Sequence, residues 1–106
     1  MNIAKMMQQA KVMQDKMAEM QEKLGEMEVE GTAGGGLVKV TMTCKGEVRS
    51  LNLDESILVP SEKEVIEDLI KAAMNDGKSK ADAKMAEETQ AMMGDMGLPA
   101  GTQLPF

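Results

Sequence analysis

In GTAGGGLVKVTMTCKGEVRSLNLD, residues 31–54, apolar and polar residues alternate along most of the segment. This two-residue period predicts a strand over residues 37–44 with one buried face. Lys45 and Gly46 then predict a tight turn, since glycine tolerates positive φ. A further strand is expected over residues 47–54, so the two segments form an antiparallel hairpin.

The alternation begins before this stretch, which predicts one more strand. From Glu28 onward the apolar or small positions are every second residue: Val29, Gly31 and Ala33. The run 34–36 is three glycines, which we interpret as a flexible connection. The three-residue step from Val48 to Leu51 breaks the period and predicts either a β-bulge or a change of face in the last strand. The expected sheet is a three-stranded antiparallel meander.

Upstream of the sheet, the period changes to that of a helix. Apolar residues are separated alternately by three and four positions, at Ile3, Met6, Ala10, Met13, Met17, Met20, Leu24 and Met27. This unbroken heptad seam predicts a helix of about 25 residues, roughly 37 Å long. Gly25 is a plausible terminator near its end. A helix so long in so small a protein must project from the body or pair along its length.

Downstream of the sheet, a second long helix is expected. Ser61 and Glu64 match a capping box, with Ser61 as the N-cap residue. The helix continues to residue 93, with Gly77 as the site of any kink and Gly94 as its end. The predicted organisation is one α+β domain over residues 1–93 and an extended C-terminal tail over residues 94–106.

The composition indicates a thin core. Leu, Ile, Val and Phe make up about 19% of the 106 residues, near the level at which disorder becomes the default. Thirteen methionines, together with eleven alanines, raise the apolar share to 42%. Methionine fills irregular gaps, so the core depends on a flexible side chain. We therefore expect a second subunit to cover part of the apolar surface.

The residues that are missing argue against an enzyme. The chain has no His, Trp or Tyr, and its only Phe is the last residue, so imidazole catalysis and base stacking on aromatic rings are excluded. The single Cys44 fits a reducing cytoplasm and continues an apolar alternation, so we expect it to be buried. Neither a membrane span nor a small-molecule substrate is expected.

Two motifs could suggest ligands, but neither has the residues that such a site requires. The methionine stripe could bind a soft metal such as Cu(I), yet it has heptad spacing and no companion Cys or His. The triple glycine could hold a phosphate, yet the Lys-Ser/Thr pair of a P-loop is absent. We expect core or dimer packing and a strand connection, respectively, with no metal and no cofactor.

Charge is distributed unevenly along the chain. The net charge is −6, but residues 54–70 alone carry six acidic side chains against Lys63. Residues 1–25 and 71–86 are mildly basic. A phosphate responds to the local potential rather than to the total. The acidic total therefore does not exclude nucleic-acid binding through the helices.

Four segments in this order resemble the YbaB/EbfC family of bacterial nucleoid-associated proteins. They are MMQQAKVMQDKMAEMQEKL at 6–24, the stretch 31–54, EDLIKAAMND at 67–76 and LPAGTQLPF at 98–106. The resemblance implies a homodimer joined through the sheet region, with the helices projecting as arms. It also implies binding to double-stranded DNA with low sequence specificity in the nucleoid, with effects on chromosome organisation, gene expression or recombination. No enzymatic activity or cofactor is implied.

Charge and placement give the candidate DNA contacts, because the resemblance supplies no contact motif. The candidates are lysines of the two helices: Lys5, Lys11, Lys16, Lys78, Lys80 and Lys84. Arg49 is the only arginine, so bidentate reading of guanine is not expected. Contact with phosphates predicts loose sequence preference. The alternative function is a protein-interaction module that docks a partner helix on the Met-rich seam.

Overall fold

A computed structural model describes residues 2–95 of the chain. It has two long helices flanking a three-stranded antiparallel sheet in the order β1-β2-β3, which confirms the predicted α+β meander. The elements are α1 Ile3–Glu26, β1 Glu28–Ala33, β2 Val38–Thr43, β3 Val48–Leu53 and α2 Lys63–Asp95. Short 3-10 turns cover Gly34–Gly36, Glu55–Ile57 and Pro60–Glu62.

The hairpin between β2 and β3 has the predicted turn, and the irregular step in β3 is a bulge. Gly46 has a φ of 91°, a value that side chains disfavour and glycine accepts. Thr41 pairs with Ser50 while the next residue, Met42, pairs with Val48. Arg49 is thus the extra residue of β3. Because of this bulge, Val48 and Leu51 lie on the same face of the sheet.

Helix α2 packs across β1 and β2 and forms the main core with them. The buried members of this core come from β2, from α2 and from the 3-10 turn after β3: Val38, Val40, Met42, Ile57 and Ala73. A second, smaller core joins α1 to the far half of α2, through Met20, Leu24, Cys44 and Met92. Cys44 is buried, as its place in the alternation predicted.

The heptad seam of α1 is buried only in its C-terminal half. Met20 and Leu24 are buried, whereas Ile3 is 68% exposed and Met6 is 54% exposed. Gly25 is helical and α1 ends one residue later, so the terminator is not this glycine. The first three turns of α1 therefore extend away from the core.

Helix α2 begins differently from its prediction. Ser61 is not the N-cap residue, because it lies inside the 3-10 turn Pro60–Glu62 and α2 begins at Lys63. The residue that caps this turn is Val59, which makes no side-chain capping bond. Proline has a φ already suited to the first helical position, so the chain starts to coil at Pro60, ahead of Ser61.

The expected interruptions of α2 are absent from the described residues. The helix runs continuously through Gly77, which is buried against β1 rather than placed at a kink. It also continues through Gly94 to Asp95, so Gly94 does not end it. The rest of the predicted tail, residues 96–106, lies outside the described part of the chain.

Candidate nucleic-acid interface

Helices α1 and α2 pair antiparallel to form an arm. Lys23 Nζ lies 2.7 Å from Glu88 Oε2, and the Thr89 hydroxyl lies 4.0 Å from the Met20 sulfur. Closer to the end of α2, Lys16 and Asp95 line the same groove. Residues 3–12 of α1 are all exposed. The N-terminal turns of α1 are thus the most accessible part of the arm.

The dimensions show how far the arm projects. The molecule measures 70 × 21 × 16 Å and has a radius of gyration of 19.3 Å. A compact domain of this length has a radius of gyration of about 13 Å. The excess means that the helices extend well beyond the sheet, as the length of the heptad seam predicted.

The three candidate lysines of α1 lie on the accessible part of the arm. Lys5, Lys11 and Lys16 are exposed, and Asp15 is the only acidic residue between positions 3 and 16. Lys5 and Lys16 lie within about 20° of each other around the helix, and Lys11 is about 120° away. Among the ion pairs of residues 2–95, none involves these three lysines.

Two candidate lysines of α2 have acidic partners one turn away. Lys78 Nζ lies 3.6 Å from Asp82 Oδ2, and both side chains are well exposed. Lys80 Nζ lies 2.9 Å from Asp76 Oδ2 and also donates to the Glu30 carbonyl oxygen at 2.8 Å. Lys80 is thereby bound to β1, whereas the Lys78 pair is a surface contact that solvent and salt weaken.

Lys84 is half-buried near the second core. Burial raises the pKa of the Cys44 thiol, and the charge of Lys84 opposes this rise with a smaller effect. Lys80 and Lys84 share a face of α2, as their spacing predicted, yet their surroundings differ. The structure therefore places Lys5 and Lys16 on one side of the exposed part of α1, with Lys11 about 120° around the helix, and does not place the α2 lysines beside them.

The pair Lys23–Glu88 is a feature that charge counting missed. The hydrogen bond between the two side chains, together with their attraction, raises the pKa of Lys23 and lowers that of Glu88. Sixty-five positions separate the partners, so no local spacing connects them in the sequence. Lys23 thereby links α1 to α2, which none of the other α1 lysines does among the ion pairs of residues 2–95.

Arg49 is bound to the body of the protein. Its Nη2 donates to the Gly25 carbonyl oxygen at 3.2 Å, and its Nε lies 3.8 Å from Glu47 Oε1. The only guanidinium of the chain is therefore used at the junction of α1 with β3. This placement leaves lysines as the cationic groups of the arm.

Residues 2–95 contain neither a cluster of metal ligands nor a membrane-spanning helix. In that range no three His, Cys, Asp or Glu side chains are placed to hold a metal ion together. Over the same part of the chain, no helix has the length and apolar character needed to cross a membrane.

Comparison with known proteins places this architecture in a family. The model of the YbaB/EbfC DNA-binding family matches residues 1–96. A nucleoid-associated protein of Granulibacter bethesdensis is 50% identical over 105 residues, covering 99% of this chain and 98% of that protein. A nucleoid-associated protein of Bradyrhizobium sp. (strain ORS 278) is 52% identical over 96 residues, covering 91% of each.

A crystal structure shows the same fold. An uncharacterized protein from Helicobacter pylori superposes with a TM-score of 0.76 at 24% sequence identity, covering 88% of this chain and 98% of that one. This likeness concerns the fold alone. The family match over residues 1–96 and the relatives at about 50% identity lead to one conclusion: the chain belongs to the YbaB/EbfC DNA-binding family of nucleoid-associated proteins.

Proposed function

We propose that the protein is a homodimer that binds double-stranded DNA in the nucleoid, chiefly through contacts between lysines and phosphates. The observation that carries this proposal is the arm, whose accessible end bears Lys5, Lys11 and Lys16 without acidic partners among the described ion pairs. Membership of a DNA-binding family that is not a known class of enzyme supports it. Relatives named nucleoid-associated proteins support the location.

The same lysines favour low sequence specificity. Lysine is a point charge, and contacts to phosphates orient a protein on DNA without reading the bases. The one arginine, the side chain best suited to guanine, donates to the Gly25 carbonyl oxygen instead. Lys78 and Lys84 are secondary candidates, since Lys78 has only an exposed partner and Lys84 is half-buried.

A dimer is supported by the uncovered face of β3. Helix α2 covers β1 and β2, but Val48 is 45% exposed and Leu51 is 49% exposed. Met74 of α2 lines the same cavity as Val48 and is also exposed. An edge strand with exposed apolar side chains is a place where another chain can pair. A second copy that covers this face completes the thin core.

A gel-shift series on duplex DNA across about 50 to 200 mM salt tests the DNA contacts. Replacing Lys5, Lys11 and Lys16 with Gln should weaken binding to every duplex and reduce the salt slope by about 0.9 for each phosphate that is no longer neutralised. The matched control replaces Lys39, Lys63 and Lys71, which removes the same charge far from the arm. Equally weakened binding in the two triple variants would show that only net charge matters.

A second function remains supported by one observation. Ile3 and Met6 continue the heptad seam but are exposed, so a partner helix could dock there. The same gel-shift series separates the two functions, because a helix-docking module would show no retention of duplex DNA even at low salt. Effects on chromosome organisation, gene expression or recombination are proposed as consequences of DNA binding, so the same experiment tests their basis.

A further inference from the structure

The two edges of the sheet differ in how their backbone groups are covered. The order β1-β2-β3 leaves β1 and β3 at the edges. An edge strand exposes N–H and C=O groups that can pair with another chain. At β1, by contrast, one outward-facing backbone group of Glu30 and one of Thr32 form hydrogen bonds with side chains of α2.

Asp76 and Lys80 make these contacts. Asp76 Oδ2 accepts a hydrogen bond from the Thr32 N–H at 3.0 Å, and Lys80 Nζ donates to the Glu30 carbonyl oxygen at 2.8 Å. The two side chains also pair with each other at 2.9 Å. The bond from Thr32 and the neighbouring Lys80 lower the pKa of Asp76, so the acceptor stays ionised at neutral pH.

The contacts depend on how closely α2 approaches β1. Aspartate has a single methylene, so it reaches a strand only when the two backbones nearly touch. Gly31 lies between the two contacted residues of β1 and has no side chain. A Cβ atom at Gly31 would lie 2.8 Å from Gly77 Cα and would overlap the Ala73 carbonyl oxygen. The glycines thus bring Asp76 and Lys80 within reach of the strand.

We propose that Asp76 and Lys80 form an edge cap that keeps a strand of a second copy from adding to β1. The partner excluded is another molecule of this chain, whose own edge strands have the matching backbone groups. If the protein is the homodimer proposed above, association is then limited to the β3 side. Lys80 serves this contact rather than a phosphate of DNA.

Helix α2 provides a matched control for the cap. Lys63 and Glu67 have the same four-residue spacing and opposite charges, but their pair is exposed and lies away from the cavity that Val48 lines. Replacing Asp76 and Lys80 with Ala removes the cap, whereas replacing Lys63 and Glu67 with Ala removes one exposed ion pair. Both double variants have the same net charge as the parent.

Light scattering after size exclusion measures the outcome against the size of the parent, whatever that size is. Asp76→Ala with Lys80→Ala should give species larger than the parent that grow with concentration, and the control should not. If both remain the size of the parent, the cap does not limit assembly and the proposal is overturned. A parent that is monomeric contradicts the proposed homodimer but leaves this comparison intact.

Amide exchange in the parent provides a test that needs no variant to fold. The Thr32 N–H should be protected in the parent and should lose protection in Asp76→Ala but not in Asp82→Ala. Exchange of Thr32 in the parent at the rate of an unprotected amide would overturn the proposal. So would a salt slope for DNA binding that falls by about one in Lys80→Ala, because Lys80 would then contact a phosphate.

Discussion

Gly31 of β1 lies directly against Gly77 of α2, and this contact sets the distance between the sheet and the helix. Replacing Gly31 with Ala places a methyl group against helix backbone, which cannot move without moving α2. We expect a loss of about 1–3 kcal/mol in the free energy of unfolding, measured by urea denaturation.

Gly77→Ala is the informative comparison for Gly31→Ala. Its new methyl group would lie 2.6 Å from Met42 Cε, the flexible end of a side chain that can rotate away. Ala also favours the helix over Gly by about 1 kcal/mol, which offsets the repacking. We expect Gly77→Ala to change stability less than Gly31→Ala. Equal destabilisation by the two substitutions would contradict the close contact at the Gly31 side.

The two ends of the heptad seam should respond differently to truncation. Leu24 is fully buried in the second core, so Leu24→Ala should cost about 2–5 kcal/mol. Ile3 is exposed, so Ile3→Ala should change stability by less than about 0.5 kcal/mol. Urea denaturation followed by helical circular dichroism measures both. A large loss of stability at Ile3 would show that its end of α1 is covered in solution.

The Lys23–Glu88 pair predicts a dependence of stability on pH. Because the pKa of Glu88 is lowered on folding, its contribution is present above the ordinary carboxyl pKa, about 4.3. That contribution is lost as the pH falls through the lowered value. For Lys23 the pKa is raised, so its contribution is present below about 10.4 and is lost as the pH rises through the raised value.

Glu88→Gln isolates the acid side of this dependence. Thermal melts of the parent and the variant should differ most between about pH 5 and 9 and should converge in acid, where the carboxylate is protonated. The carboxylates of Asp54 and Asp76 have lowered pKa values in both proteins, so their effects cancel in the difference. A constant difference down to low pH would mean that Gln disturbs packing and that the ion pair has little effect.

The β3 face predicts which substitution dissociates the proposed dimer. Leu51→Lys places a charge on that face and should give a monomer at micromolar concentration, measured by light scattering. Val12 of α1 has almost the same exposure, 46% against 49% for Leu51, so Val12→Lys is a matched control. A dimer that survives Leu51→Lys but not Val12→Lys would place the interface on α1.

Local patterns determined most of the elements. The two-residue period predicted the strands, the step from Val48 to Leu51 marked the irregularity where the structure has a bulge, and the heptad spacing predicted the extent of α1. These features depend on residues that are neighbours in the chain, so they can be predicted from the sequence. Ser61 was assigned wrongly because a capping motif competes with Pro60, which begins the turn first.

Contacts between distant residues decided the rest. In the sequence Gly77 looked like a helix breaker. In the structure it lies within α2 at the point where the helix packs against Gly31 of β1. Lys80 and Lys78 are indistinguishable as charges in a sequence, yet one reaches the Glu30 carbonyl oxygen and the other only Asp82. Residues close in the chain were therefore enough to predict the helices, the strands and the thin Met-rich core. Which lysines have partners and which glycines are required became clear from the packed structure, because both depend on how closely two backbones approach.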